Sequence, residues 1–254
     1  MNKKIIRMNQ ILEILKTKNG DSIKELATCF NVSEMTIRRD VDVLCEKGLV
    51  TILYGAVIMN PENSKSYHLT SALTSYDSEK DKIGKFAASL LVPSDVLIID
   101  TGSTTEFIAK HLPSHLPLTV LCYNYNILSY LLNKPNIKLI FPGGFYHPDT
   151  QMFESNESRT FIHNIRATKT FVSAAGVHES MGITCVNGYE VDTKKEVMNS
   201  GFERILTVDS SKFSVIQSAY FAGLEQFNAI ITDSNIPKKW IHVIRDMGIT
   251  LYIV

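Results

Sequence analysis

An α/β protein in two parts is predicted from three observations. Residues 1–59 show three helical patterns and then two short β-rich runs. Residues 78–254 alternate apolar, β-branched runs with amphipathic helical stretches. Between them, residues 60–77 (NPENSKSYHLTSALTSYD) are polar, aperiodic and interrupted by Pro61, so they read as a linker or irregular arm. A length of 254 residues suits two domains of ordinary size.

Composition narrows the class. At 44% hydrophobic residues the chain is too apolar to be disordered, and no run reaches the ~18 apolar residues of a membrane helix. The start, MNKKIIRMNQ, lacks the apolar stretch of a signal peptide. Cys29, Cys45, Cys122 and Cys185 form no C-x-x-C pair, which argues against zinc and against a disulfide framework. A cytoplasmic protein without a membrane partner is therefore expected. His68, His147, His163, His178 and His242 show no metal-ligand spacing, and no metal, cofactor or catalytic residue is expected. The 26 Lys+Arg and 26 Asp+Glu cancel, which at first argues against a nucleic-acid partner. Residues 1–60 hold nine basic and seven acidic residues, a net of +2; the remaining 17 and 19 give −2.

The N-terminal elements follow in order. Ile5, Met8, Leu12 and Leu15 recur at helical spacing, and Asn19-Gly20 ends that helix. Ile23, Leu26, Ala27 and Phe30 mark a short second helix. Ser33 is a good N-cap for a third, with Ile37, Val41 and Leu44 inward and Gly48 closing it. The runs Leu49–Leu53 and Ala56–Met59 meet at Tyr54-Gly55. Three helices and a hairpin in about sixty residues describe a winged helix-turn-helix. Met35, Arg38, Arg39 and Asp42 then lie on outer faces, with Ser33 and Thr36 at the N-terminal end, where a recognition helix meets base edges. Two adjacent arginines reach base acceptors or phosphates, although an Arg-Arg pair alone reads equally as a solvated helix face. Ser33, Met35, Thr36, Arg38 and Arg39 are the candidate contacts to double-stranded DNA.

In the second part the strand candidates are Val96–Asp100, Leu118–Cys122, Ile137–Phe141, Thr170–Ala174, Ile205–Val208, Ala229–Thr232 and Thr250–Val254. Helical stretches such as Thr104–His111, Glu190–Gly201 and Lys238–Met247 lie between them, which implies a mostly parallel sheet covered on both faces. Ligands of such sheets bind beyond the carboxyl ends of the strands. There lie Asp100, Thr101, Gly102, Ser103, Thr104 and Thr105, hydroxyl-rich and entering a helix: a phosphate cradle, or only a helix cap. Tyr123, Gly143, Gly144, Gly176, Asp209 and Lys212 also follow strands, and Glu190 and Lys194 open the next helix. The lysines suit phosphate, and Asp100, Glu190 and Asp209 suit sugar hydroxyls. The plain alternatives are a surface i,i+4 pair at Glu190–Lys194 and a simple turn at Asp209-Ser210-Ser211.

NVSEMTIRRDVDVLCEKGLV and YGAV, with DTGSTT, Gly143-Gly144 and DSSKF, resemble the DeoR family of bacterial repressors. The resemblance implies a C-terminal sensor of phosphorylated sugars with a fold similar to that of ribose-phosphate isomerases. The family usually carries an Arg and a His before a wing Gly-Gly; here Thr51, Leu53 and Tyr54-Gly55 stand in their place. Its N-L-E-E is Asn187-Gly188-Tyr189-Glu190, and its T-N-S is Cys122-Tyr123-Asn124. LTVLCYNYN and VSAAGVHESMGITCVN resemble the family's founding member, which implies deoxyribose-5-phosphate as effector and control of deoxyribonucleoside catabolism genes.

The expectation is a homo-oligomeric, dimeric or larger, DNA-binding repressor released by a phosphorylated sugar. A small positive surplus and a wing without its basic residues make multivalent binding more necessary. Three alternatives remain at this point: an isomerase-like enzyme with an appended DNA-binding domain, a scaffold without effector, and a family regulator of another sugar pathway.

Overall fold

The computed structural model describes residues 3–18, 20–47, 49–53, 56–59, 69 and 76–254. In the N-terminal part α1 spans Lys3–Lys18, β1 Asp21–Ser22, α2 Ile23–Phe30, α3 Glu34–Glu46, β2 Val50–Leu53 and β3 Ala56–Met59. Strands β2 and β3 pair antiparallel from Val50↔Met59 to Leu53↔Ala56, and β1 adds to the other edge of β3. Ser22 starts α2 with a reciprocal capping box to Glu25, and Asn31 ends it in the left-handed region at φ 50°. Met8, Ile11, Leu15, Ile23, Leu26, Ile37, Val41, Leu44, Val50 and Val57 form the core. The first helix presents a slightly different face from the one expected: Ile11 is fully buried, Leu12 half-buried and Ile5 exposed. Ile5 through Leu15 contains apolar residues on two overlapping stripes, and the Arg7–Asp40 ion pair to α3 favours the stripe of Met8, Ile11 and Leu15. The Asn19, Gly48 and Tyr54-Gly55 turn readings, and the linker apart from Leu69 and the residues from Tyr76 on, lie outside the described residues. Leu69 is buried, with its N–H on the Asp149 carbonyl at 2.8 Å.

The second part is a seven-stranded, wholly parallel sheet. Its strands are β4 Val96–Ile99, β5 Leu118–Cys122, β6 Ile137–Ile140, β9 Ala167–Val172, β12 Gly201–Thr207, β14 Ala229–Thr232 and β15 Thr250–Ile253, in the order β15-β14-β12-β9-β4-β5-β6. All seven strand candidates are in this sheet. Side chains alternate between faces: Ile98, Leu121, Val172, Leu206 and Ile230 enter one apolar layer, and Ile99, Val120, Phe171, Ile205 and Ile231 the other. The second layer is closed by α4 Asp77–Ser89, α5 Ser103–His111 and α6 Tyr125–Leu131. The first is closed by α7 Asn156–Asn164, α8 Gly188–Ser200 and α9 Lys238–Asp246.

Two small β units add to the expected scheme. A hairpin, β7 Phe145–His147 and β8 Met152–Glu154, bridges to Asn124 beyond the end of β5. An antiparallel sheet is built from β10 Gly176–His178, β11 Gly182–Cys185 and β13 Ala219–Ala222, in the order β10-β11-β13. Strands β7, β8 and β10 have three residues each, and no helix separates the strands of either unit, so they lack the alternation of apolar runs and helices that marks the main sheet. The two parts touch where Ala56 and Ile58 pack with Ile216 and Met181.

Candidate functional site

Helix α3 carries the residues expected to contact DNA. Ser33 accepts the Thr36 N–H at 3.2 Å, and the two hydroxyls lie 2.9 Å apart, so both define the helix start. Met35, Arg38 and Arg39 are exposed, and neither arginine has a side-chain partner among the described residues. Unpaired arginines on a capped helix keep all their donors for an external acceptor. Thr51 is half-buried on β2.

In the second part the strand order reverses between β4 and β9, the switch point where an open parallel sheet leaves a crevice. Asp100 and Ser173 directly follow these two strands and are joined, the Ser173 N–H donating to Asp100 at 2.9 Å. Asp100 is fully buried and also accepts from the Tyr123 hydroxyl and the Lys194 ammonium. Lys194 further donates to the Ser173 carbonyl at 3.2 Å. Burial alone would pull the Lys194 ammonium down, but the Asp100 and Glu190 carboxylates hold it above the usual lysine value. Burial, and then Asp100, raise the Tyr123 hydroxyl well above its ordinary range. Glu190 is 6% exposed and turns back on its own helix, accepting the Asn187 N–H at 3.1 Å and its amide at 3.0 Å. Burial pushes its carboxyl up. The surface-pair reading of Glu190–Lys194 is thus corrected: both side chains are buried, because the apolar side of α8 packs on the sheet.

The cradle itself stands beside this network. Gly102 is needed by close approach, since a Cβ there would lie 2.5 Å from Ser173 Oγ. It begins α5 without any side-chain cap, leaving the first amides of the helix open. Thr105 Oγ1 bonds the Gly102 carbonyl at 3.1 Å and Thr101 Oγ1 the Thr150 carbonyl at 3.2 Å. The Ser103 and Thr104 hydroxyls have no partner among the described residues. Gly143, at φ 73°, makes the turn that sends the chain from β6 into the hairpin, and Gly144 lies against the Glu154 backbone. Gly176 packs on Val215, where a Cβ would be 2.5 Å from its carbonyl. Tyr189 stacks on His147 at 3.8 Å and meets Thr150 Oγ1 at 3.2 Å, which ties the hairpin to α8.

Asp209 and Lys212 form the next strand end. Asp209 is fully buried and caps the 3₁₀ turn Ser210–Lys212, accepting the Ser211 N–H at 3.0 Å. Its other oxygen has no hydrogen bond and lies 3.8 Å from Lys212 Nζ. A turn is therefore present, and an oriented lysine with it. The sequence reading missed Lys80. It is 1% exposed on α4, burial lowers its ammonium, and Asp209, Lys212, Asp77 and Glu106 are the charges that act on it. A lysine three residues before Ile83, on the apolar stripe Ile83, Ala87, was the signal for it. Gly84 lets α4 approach the Phe107 backbone, placing Lys80 near the first turn of α5. A cavity of about 500 Å³ lies elsewhere, on the small antiparallel sheet, lined among others by Glu179, Met181, Thr184, Ile216, Tyr220 and Glu225.

Asp21, Glu25 and His178 converge across the two parts with ligand atoms within 4.8 Å of one another, a grouping local spacing did not reveal. His178 Nδ1 accepts the N–H groups of Ser180 and Met181, each at 3.3 Å, so Nε2 carries the proton and donates to Glu25 at 3.2 Å. That tautomer presents no lone pair to a metal between the three residues.

Among the described residues no helix is long and apolar enough to cross a membrane. The chain is 32% identical over 227 residues to the "Deoxyribose operon repressor" of Escherichia coli (strain K12), covering 89% of each chain. It is 29% identical over 247 residues to the "HTH-type transcriptional regulator GolR" of Listeria innocua, covering 97% of each. A solved ribose 5-phosphate isomerase of Methanocaldococcus jannaschii aligns over 55% of each chain at 18% identity and a TM-score of 0.41, from which nothing about activity follows. Residues 7–63 match the "DeoR-like helix-turn-helix domain" and residues 76–234 the "DeoR C terminal sensor domain": the chain belongs to the DeoR family.

Proposed function

We propose that this family member is an oligomeric transcriptional repressor that a phosphorylated sugar, deoxyribose-5-phosphate, releases from its operator, so controlling deoxyribonucleoside catabolism genes. One recognition helix reads too few base pairs for specificity, so α3 acts from a dimer or larger assembly. The observation that carries the effector reading is the N-terminus of α5. It sits beside the sheet's switch point, uncapped, with the Ser103 and Thr104 hydroxyls unpartnered among the described residues. Lys212 follows a strand of the same sheet and is held by a loose ion pair, and in this reading it supplies a positive charge to the phosphate. The name of the Escherichia coli relative supports a deoxyribose effector over other sugars. Against the isomerase reading, Asp100, Glu190 and Lys194 are buried and already bonded, Asp100 to Lys194 and Glu190 to Asn187.

The deciding experiment is operator binding with deoxyribose-5-phosphate and ribose-5-phosphate, with thermal shift measured in parallel. Stabilisation and release by the deoxy sugar alone is the expected result. Release by ribose-5-phosphate alone moves the protein to another pathway, and turnover of either sugar overturns the sensor reading.

A further inference from the structure

One short segment runs from the proposed effector site to a contact with the N-terminal part. At one end, Lys212 faces the buried Asp209 carboxylate at 3.8 Å. Four residues later, Ile216 packs with Ala56 and Ile58 of β3, the strand that carries the wing. The contact is tight: a Cβ on Gly20, where α1 gives way to β1, would lie 2.9 Å from Ile58 Cγ2 and 3.1 Å from Ile216 Cβ. Between the ends, Ser214 adopts the left-handed region at φ 63°, which a non-glycine residue holds only when its surroundings fix it. They do: its N–H donates to the Val177 carbonyl at 2.8 Å and its hydroxyl accepts from Trp240 Nε1 at 2.9 Å. Phe213 also packs on Trp240. The segment is thus anchored at its middle and tethered at each end to a different site.

A second contact rides on the same anchor. Val177, bonded to Ser214, precedes His178, whose Nε2 donates to Glu25 in the capping box of α2. Displacing Ser214 therefore moves both contacts with the helix-turn-helix. Packed interiors resist such movement, but the cavity of about 500 Å³ beside Ile216 and Met181 leaves room for it.

We propose that residues 209–216 form the coupling element, pivoting at Ser214, so that drawing Lys212 onto a bound phosphate shifts Ile216 against Ala56 and Ile58 and lowers operator affinity. This rests on the effector reading above. Coupling of this kind requires two arrangements of a packed element, each favoured by one ligand.

The test uses full-length wild type, Ile216→Ala and Ile216→Leu. Operator affinity is measured with and without deoxyribose-5-phosphate, sugar binding by calorimetry, and hydrogen exchange at the β3 amides. Ile216→Ala is expected to bind sugar and operator as wild type does, to lose about tenfold of the sugar-induced fall in operator affinity, and to exchange faster in β3. Ile216→Leu is expected to keep the response, which excludes a folding defect. Undiminished release by Ile216→Ala, or unchanged exchange in β3, overturns the coupling. A wild type that binds no sugar phosphate overturns the effector reading instead, and faster exchange in β3 of Ile216→Ala still supports the mechanical link.

Discussion

Lys194 lies on the Asp100 carboxylate with side-chain exposures of 1% and 0%, at the point where the sheet reverses its strand order. A charge pair this deep is costly to form and more costly to break. Removing the lysine alone strands a carboxylate whose remaining donors are Tyr123 and Ser173. Lys194→Met is expected to lose about 3–5 kcal/mol of stability in urea unfolding. The double variant Asp100→Asn with Lys194→Met, which has no stranded charge, is expected to recover most of it. A Lys194→Met protein of unchanged stability that no longer binds sugar phosphate would return the lysine to the effector.

Lys212 and Thr104 make the opposite prediction. Lys212 is 29% exposed at its side chain, and among the described residues its ion-pair partner is a carboxylate at 3.8 Å, so losing it costs the fold little. One charge-assisted hydrogen bond to a phosphate contributes about 1.5–3 kcal/mol. Lys212→Ala is therefore expected to weaken sugar-phosphate binding by about ten- to hundredfold, with operator affinity unchanged in the absence of sugar. Thr104→Ala is expected to act in the same direction. Full release of operator by the effector in both variants would place the phosphate elsewhere.

These two lysines mark what was legible in the sequence. Both follow or flank strands, and strand ends were readable because seven apolar runs alternate with helices. The readable feature stops at the residue's place in the chain. Whether an ammonium faces solvent, a ligand or a buried carboxylate depends on what crosses it from a distant segment; Asp100 is 94 residues before Lys194. Lys80 was passed over although it shares the buried face of Ile83 and Ala87, because the charges that act on it, Asp209 and Lys212, come from a distant segment. In the N-terminal part Ser33, Ile37, Val41 and Leu44 were legible because cap and stripe lie within one helix. The β7-β8 hairpin and the β10-β11-β13 sheet were not, because no helix alternates with their strands and three of those strands have only three residues.

Arg38 and Arg39 are expected to separate DNA binding from sensing. Each projects from α3 without a partner among the described residues, so truncation leaves no orphaned group inside the protein. Arg38→Ala or Arg39→Ala should weaken operator binding by about 1–3 kcal/mol if the side chain reads a base edge. If it holds a phosphate, the loss should be uniform across sequences and the salt slope shallower by about one. In both cases thermal stabilisation by sugar phosphate should be retained. Its loss together with DNA binding would indicate that the domain no longer folds.

Asp21 gives the junction between the two parts a pH dependence with a definite sign. Burial, and then the hydrogen bond to Glu25, raise its carboxyl from 3.8 to about 6 against the pull of Lys18. Its partner Glu25 is lowered to about 2: burial alone would raise it, but the hydrogen bonds from Asp21 and Ser22, together with that from His178, outweigh this. Below about pH 6 the raised Asp21 carboxyl is the one of the two that carries the proton. Because the folded state binds that proton more tightly than the unfolded chain, its stabilisation is complete below about pH 4 and is lost as pH rises through about 6. The contribution of Glu25 has the opposite sign, present above about 4.5 and lost only as pH falls towards 2. Between pH 5 and 7.5 the net effect is therefore a fall in stability with rising pH, on the order of a few degrees in Tm for a chain of this size. Asp21→Asn fixes a neutral partner for Glu25 and removes the titration. Its Tm should change less than that of wild type across this range, the gap between the two closing towards the acid end. A wild-type minus variant difference that stays constant from pH 5 to 7.5 would show that the Asp21 proton does not stabilise the junction.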